Sequence, residues 1–232
     1  MATICSSMSR LARLRLTRLD ECGAPDPGPT GTLVTNGFVN VDASPVYLDP
    51  EEITQLNGNG DLCIDDQGNP QLRWLNLTMV MCQVDPVAYN IVTGNPLVVD
   101  DATPTPNTVG FRLNSEVTGT ANFALEIWSG ISGQSCDAEG NKQYGYWLFP
   151  YVVQARVGDW SMANAALNLT LTARTSVGSG WGTGPAAYTV RRDAVSDTPE
   201  VILTAIDDND HVHFEVVTVA PPAALCGGSV LA

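Results

Sequence analysis

The chain has 232 residues and a formal charge of −14, from 25 Asp+Glu set against 11 Lys+Arg. So acidic a chain is not built to hold nucleic acid, because gripping phosphates takes clustered Lys and Arg. No apolar run reaches the roughly 18 residues that a membrane-spanning helix needs, so no such span is expected.

The charge is unevenly laid out. Arg10, Arg13, Arg15 and Arg18 stand in a segment with no acid before Asp20, so residues 1–19 carry +4. The other seven bases share residues 20–232 with all 25 acids, a net −18. A basic segment on an acidic body suggests self-association, with the segment of one copy lying on the body of the next. Its Leu residues are interleaved with Arg and form no apolar h-region, so it does not read as a secretory signal; an Arg-rich transit peptide is a looser match. Arg13-Leu14-Arg15-Leu16 alternates like a strand, while Leu11, Leu14 and Arg18 also fit a helix.

Residues 43–70 read as a long loop, with Pro45, Pro50, Asn57-Gly58-Asn59-Gly60 and Gly68-Asn69-Pro70 all supplying turn chemistry. Residues 71–83 are apolar on both phases (Leu72, Trp74 and Val80 against Leu75, Leu77, Met79 and Met81), the pattern of a central strand covered on both faces. A short helix follows. Asp85 caps it, Pro86 takes its first position, Val87, Ile91 and Val92 form a partial stripe, and Gly94 stops it. After a Pro-rich loop over 94–110, Phe123, Leu125 and Ile127 alternate with Asn122, Ala124 and Glu126, as a half-buried strand does. Residues 144–157 add strand, with Pro150 marking a bend or edge. Leu167, Leu169 and Leu171 alternate with Asn168, Thr170 and Thr172, and Val212, Phe214 and Val216 with His211, His213 and Glu215. The fold class expected is all-β: a sandwich or barrel with one short helix and long loops.

Catalytic and metal signatures are weak. Around Ser179 and Ser132 the Gly-x-Ser-x-Gly pattern of a nucleophile elbow fails. The only histidines, His211 and His213, fall on the polar phase of a strand and are expected to be exposed there. Asn57-x-Asn59-x-Asp61 mimics the start of a calcium loop, but Leu62 and Gly68 occupy the positions that need Gly and Glu. Asp207-Asp208-Asn209-Asp210 reads as a tight turn in preference to a cation site. Six cysteines (Cys5, Cys22, Cys63, Cys82, Cys136 and Cys226) form no C-x-x-C pair, and buried free thiols are expected of them. The Gly-rich run 178–184 lacks a Lys and precedes no helix, so it is no phosphate cradle. Trp181 within it reads either as an anchor at a protein interface or as a ring folded back on its own core. No catalytic residue, cofactor site or metal site is assigned.

Several stretches in order along the chain resemble the major tail proteins of siphophages that infect actinobacteria. They are Ile4-Cys5-Ser6-Ser7-Met8-Ser9-Arg10-Leu11, Thr17-Arg18-Leu19-Asp20-Glu21-Cys22-Gly23, Asp85-Pro86 with Thr93-Gly94-Asn95-Pro96, Phe123-Ala124-Leu125-Glu126-Ile127-Trp128-Ser129-Gly130, Lys142-Gln143-Tyr144-Gly145-Tyr146, the Gly178–Pro185 loop, and Thr218-Val219-Ala220-Pro221-Pro222. None is a catalytic signature; their weight lies in number and order.

The resemblance implies a structural virion protein, not an enzyme, without cofactor or membrane association, made in the cytoplasm of a bacterial host. Its partners are itself, in hexameric rings stacked into a tail tube; a tape-measure protein in the bore; tail terminator and tail-tip proteins at the ends; and genomic DNA, which passes through without specific binding. The implied fold is one β-sandwich-like domain over 1–232, with an N-terminal arm (about 1–23), a C-terminal arm (about 219–232) and sheets that join into an inner barrel around the ring. Arg10, Arg13, Arg15, Arg18 and Trp181 are the subunit-interface residues expected, and 43–70 is the segment expected to stack rings. Six copies carry about −84, and the +4 segments are the obvious compensation for that self-repulsion. The rival reading is a secreted or surface β-sandwich that binds glycans, with calcium at the Asp-rich turns.

Overall fold

A computed structural model describes residues 6–26, 28, 30–116, 121–133, 136, 137, 139–229 and 231. Its elements in chain order are β1 (Ser7–Leu19), β2 (Thr32–Thr35), β3 (Phe38–Leu48), β4 (Glu52–Leu56), β5 (Leu62–Gln67), β6 (Gln71–Met81), α1 (Pro86–Thr93), β7 (Leu97–Val99), β8 (Thr108–Phe111), β9 (Asn122–Ser132), β10 (Tyr144–Val157), β11 (Leu169–Thr175), β12 (Arg191–Arg192), β13 (Pro199–Glu200) and β14 (His213–Val217). The protein is β-rich with a single helix among the described residues, as the alternating sequence leads one to expect.

One antiparallel sheet organises the chain, in the order β2-β1-β9-β10-β11-β6-β3, with β14 added along β10. β10 serves two neighbours on one side. Its first half, Tyr144–Leu148, pairs with β14, and its second half, Val152–Val157, pairs with β11. The register on β9 shifts between Phe149 and Val152, around Pro150, which has no N–H for the ladder. Gln154, at φ 55, bulges the strand again where its register on β11 shifts.

Two apolar cores flank the sheet. The first gathers Leu14, Leu16, Leu77, Met79, Phe123, Leu125 and Leu171 under α1. The helix starts where Asp85 Oδ1 accepts the Val87 N–H at 2.9 Å and ends at Gly94, whose φ of 72 lets its N–H reach Asn90 O. Val87, Ala88, Tyr89, Ile91 and Val92 are all buried, and Phe111 of β8 stacks on Tyr89 at 4.5 Å. The second core lies on the opposite face: Ala124, Trp128, Tyr146 and Leu148 of the sheet are roofed by Trp181, Tyr188, Val190, Ile202 and Ile206. Each large side chain so covered contributes about 1.5–3 kcal/mol.

The second core corrects two expectations. β9 is not half wet: Phe123–Ile131 is buried on both phases apart from Gly130, because the 181–206 segment covers the phase that carries Ala124, Glu126 and Trp128. β6 is central in the sheet, between β11 and β3, yet only its odd phase is buried; Leu72, Trp74 and Val80 stay exposed or half-exposed, since the roof does not extend that far. β11 behaves as expected, with Leu169, Leu171 and Ala173 inside and Thr170, Thr172 and Arg174 outside.

Neither terminal segment is a free arm within the described residues. Residues 7–19 are β1, paired with β9 over their whole length and with β2 from Leu14 to Thr17. Alternation of Leu14 and Leu16 with Arg15 and Thr17 suits a strand buried on both faces better than it suits a helix. Near the other end, Ser229 and Thr32 exchange both backbone hydrogen bonds, Leu225 N–H donates to Val34 O, and Gly227 N–H donates to Asp85 Oδ2. The C-terminal segment thus sheathes the outer edge of β2.

Candidate assembly interface

The four N-terminal arginines have four different fates. Arg15 is buried: its Nε and Nη2 donate to Glu126 Oε2 and Oε1, each at 2.5 Å, across the β1–β9 ladder. Glu126 is fully buried and also accepts the Tyr146 hydroxyl at 2.7 Å. The Arg15 guanidinium lies 3.4 Å from the Tyr188 ring centroid and 5.2 Å from that of Trp128. Burial works against its charge, but Glu126 more than offsets that and leaves the pKa raised. The same burial, together with Glu126, pushes the Tyr146 phenol well above its ordinary range. Arg18 donates to Asn90 Oδ1 of the helix, and Arg13 to the carbonyl of Ala12. Arg10 is exposed and makes no ion pair among the described residues. Of the four, Arg15 is corrected from interface to core: it is committed to its own chain.

Trp181 is corrected likewise. Its ring is 4% exposed, lies 6.0 Å from Tyr188, and belongs to the second core, so of the two readings it is the folded-back ring that holds. Ser179 Oγ accepts the Trp181 N–H at 3.2 Å, and Gly178 N–H is tied to Asp208 O, which docks the glycine loop on the 207–210 turn. That turn closes on itself through Asp207 N–H to Asp210 Oδ2 at 2.9 Å.

The histidines sit opposite to expectation. On β14 the phase of His211, His213, Glu215 and Val217 turns inward, and Val212 and Phe214 are exposed. His211 is 6% exposed, with Nδ1 2.8 Å from Thr175 Oγ1, and that hydroxyl in turn accepts the Leu75 N–H. His213 Nε2 lies 3.6 Å from Glu215 Oε2. The strand faces this way because Tyr144 and Tyr146 already face the second core on its partner β10, and ladder partners share a face.

The thiols reverse expectation too: Cys22, Cys63, Cys82, Cys136 and Cys226 are exposed, and Cys5 lies outside the described residues. Asn57-x-Asn59-x-Asp61 is a hairpin turn, in which Asn57 Oδ1 accepts the N–H groups of Asn59 and Asp61 at 2.9 Å. Among the described residues no three His, Cys, Asp or Glu side chains are placed to hold a metal ion.

Three surface features remain. The first is the β4–β5 hairpin. Residues 43–70 are not a structureless loop: β3 runs on to Leu48, and β4 and β5 pair from Glu52–Gln67 to Leu56–Leu62. Every residue from 51 to 73 is exposed, including Ile53, Leu56, Leu62 and Ile64. Asp49, Glu51, Glu52, Asp61, Asp65 and Asp66 give it −6, with no base between residues 43 and 72.

The second is an apolar groove of about 560 Å³ whose walls include Leu11, Val41, Leu75, Ile127, Trp147 and Phe149, with Arg10 also lining it. β1 and β3 stand near opposite ends of the sheet order, yet both line it, so the sheet curves around the groove. Among the described residues both present open edges: β1 has no partner opposite β9 over Ser7–Arg13, and β3 pairs with β6 alone. The third is a more polar cleft of about 640 Å³ lined by Asn95, Asn114, Gln154, Arg156 and Trp160. Sequence reading singled out 43–70, but as a loop and not as strands, and it found neither hollow, since each gathers residues from distant strands. Compared with known proteins, the chain matches no family model and no curated protein.

Proposed function

We propose that this chain is a structural subunit that assembles with copies of itself into stacked rings, forming the tube of a phage tail. The hairpin carries this reading. An isolated two-stranded hairpin is marginal in water, and one that exposes four large aliphatic side chains invites cover from another molecule. The open edges of β1 and β3 point the same way, because unpaired edges are ordinarily blunted or covered and ring closure removes them. A heterologous contact of this sort, between two different surfaces of the same chain, closes into rings or continues as a filament.

The composition and the ordered resemblance to siphophage major tail proteins support the same conclusion. A conduit for a genome must not grip it: basic groups that pair with phosphates release counterions and add affinity, whereas a net acidic subunit adds none. On this reading the tape-measure protein and then the genome pass through the bore.

Electron microscopy of the purified, concentrated protein, with sedimentation across a concentration series, tests the proposal. Rings or tubes that grow with concentration are expected. A species that stays monomeric throughout would defeat it. The second reading, a glycan-binding module, draws on the polar cleft, where amides, a guanidinium and an indole converge. A melting shift on adding oligosaccharide, without polymers, would favour it.

A further inference from the structure

We propose that the groove between β1 and β3 receives the β4–β5 hairpin of a neighbouring copy, with Arg10 at the groove pairing with the hairpin's carboxylates. This rests on the self-assembly reading and names the surface through which it works.

The two surfaces complement each other in three respects. The groove is walled by Leu11, Val41, Ile127, Trp147 and Phe149, and the hairpin offers Ile53, Leu56, Leu62 and Ile64. Those four are between 43% and 60% exposed in their own chain, so the hairpin does not fill its own groove. The charges are opposite: the hairpin segment carries six acids and no base, while Arg10, which lines the groove, has no acidic partner among the described residues. The backbone offers a third match. The free edges of β1 and β3 present unpaired N–H and C=O groups, the template on which an extended segment adds as a further strand.

Donor and acceptor are different surfaces carried by every copy. Each subunit therefore gives one hairpin and receives one, and the contact propagates without any other protein. The groove is apolar over most of its wall, so burial supplies the affinity; the Arg10–carboxylate contact selects the partner and speeds encounter.

A photocrosslinking residue at Ile64, in full-length protein mixed from two isotope labels, reads the contact directly. Crosslinks between differently labelled copies are expected on Met8–Leu11, Trp147 or Val212. Arg10→Glu is expected to raise the concentration needed for polymer about tenfold, and Arg10→Glu combined with Asp65→Arg and Asp66→Arg to recover part of it. An unchanged melting temperature shows that the variants fold. If polymers form but the crosslinks land only on other surfaces, the groove assignment is overturned while self-assembly stands. If neither polymers nor crosslinks between copies form at any concentration, both readings fail.

Discussion

Arg15 and Glu126 face each other across the β1–β9 ladder and close a two-pronged, buried ion pair. Tyr146 adds a third hydrogen bond, and Tyr188 and Trp128 wall the guanidinium. A buried pair of this kind is a weak source of net stability, since both charges lose hydration, but breaking it strands a charge. Glu126→Ala and Arg15→Ala are each expected to cost about 3–5 kcal/mol in urea unfolding. Arg15→Met with Glu126→Leu should cost much less than the two single changes together. A double variant as damaged as their sum would mean that the residues act independently and that the pair is not the cause.

The imidazole of His211 makes stability depend on pH. Burial holds its pKa below the ordinary 6.5, with Asp210 pulling the other way, and Nδ1 faces the Thr175 hydroxyl. A depressed histidine favours the neutral ring in the folded state. Its contribution is complete above pH 6.5 and is lost as pH falls from 6.5 through the folded-state value, because the unfolded chain takes up the proton first. Unfolding free energies measured from pH 8 to pH 5 should fall more steeply for the wild type than for His211→Gln. Parallel curves would remove His211 from the account.

Trp181 stabilises the fold of its own chain. Trp181→Ala is expected to cost about 3–5 kcal/mol, measured by denaturant unfolding of the monomer. Gly184 supports that ring from a φ of +83, where an added Cβ would come within 2.8 Å of the indole Nε1. Gly184→Ala should therefore cost about 1–2 kcal/mol from backbone conformation, with crowding of the ring in addition. Neither loss should appear if the 178–184 loop is only loosely docked.

The hairpin makes the opposite prediction. Replacing residues 50–69 by a two-residue Asn-Gly turn removes no buried side chain, so the unfolding free energy of the monomer should change by only about 0.5 kcal/mol. Polymer should vanish at concentrations where the wild type assembles. A shortened chain that still forms tubes would relieve the hairpin of any part in assembly.

Local chemistry was readable along the chain. Alternation located β11, β14 and much of β9; Asp85, Pro86 and Gly94 bounded the helix; Pro150 marked the bend in β10; the turn residues of 57–61 and 207–210 form turns. These features depend on backbone conformation and nearest neighbours, which a short window of sequence contains.

Which face of each strand meets water was decided elsewhere. Alternation sorts residues into two faces but does not say which is covered, and that depends on chain arriving from far away. Residues 181–206 roof the phase bearing Glu126, so a lone acid in an apolar strand became half of a buried ion pair with Arg15. Trp181 went inside as part of that roof, and the ladder with β10 turned the phase of His213 inward and Phe214 out. The hairpin was left with nothing over it. Sequence alone determined the strand-forming chemistry and the net charge; the tertiary structure alone decided which charges were desolvated, because desolvation is a property of what packs above a residue and not of the residue itself.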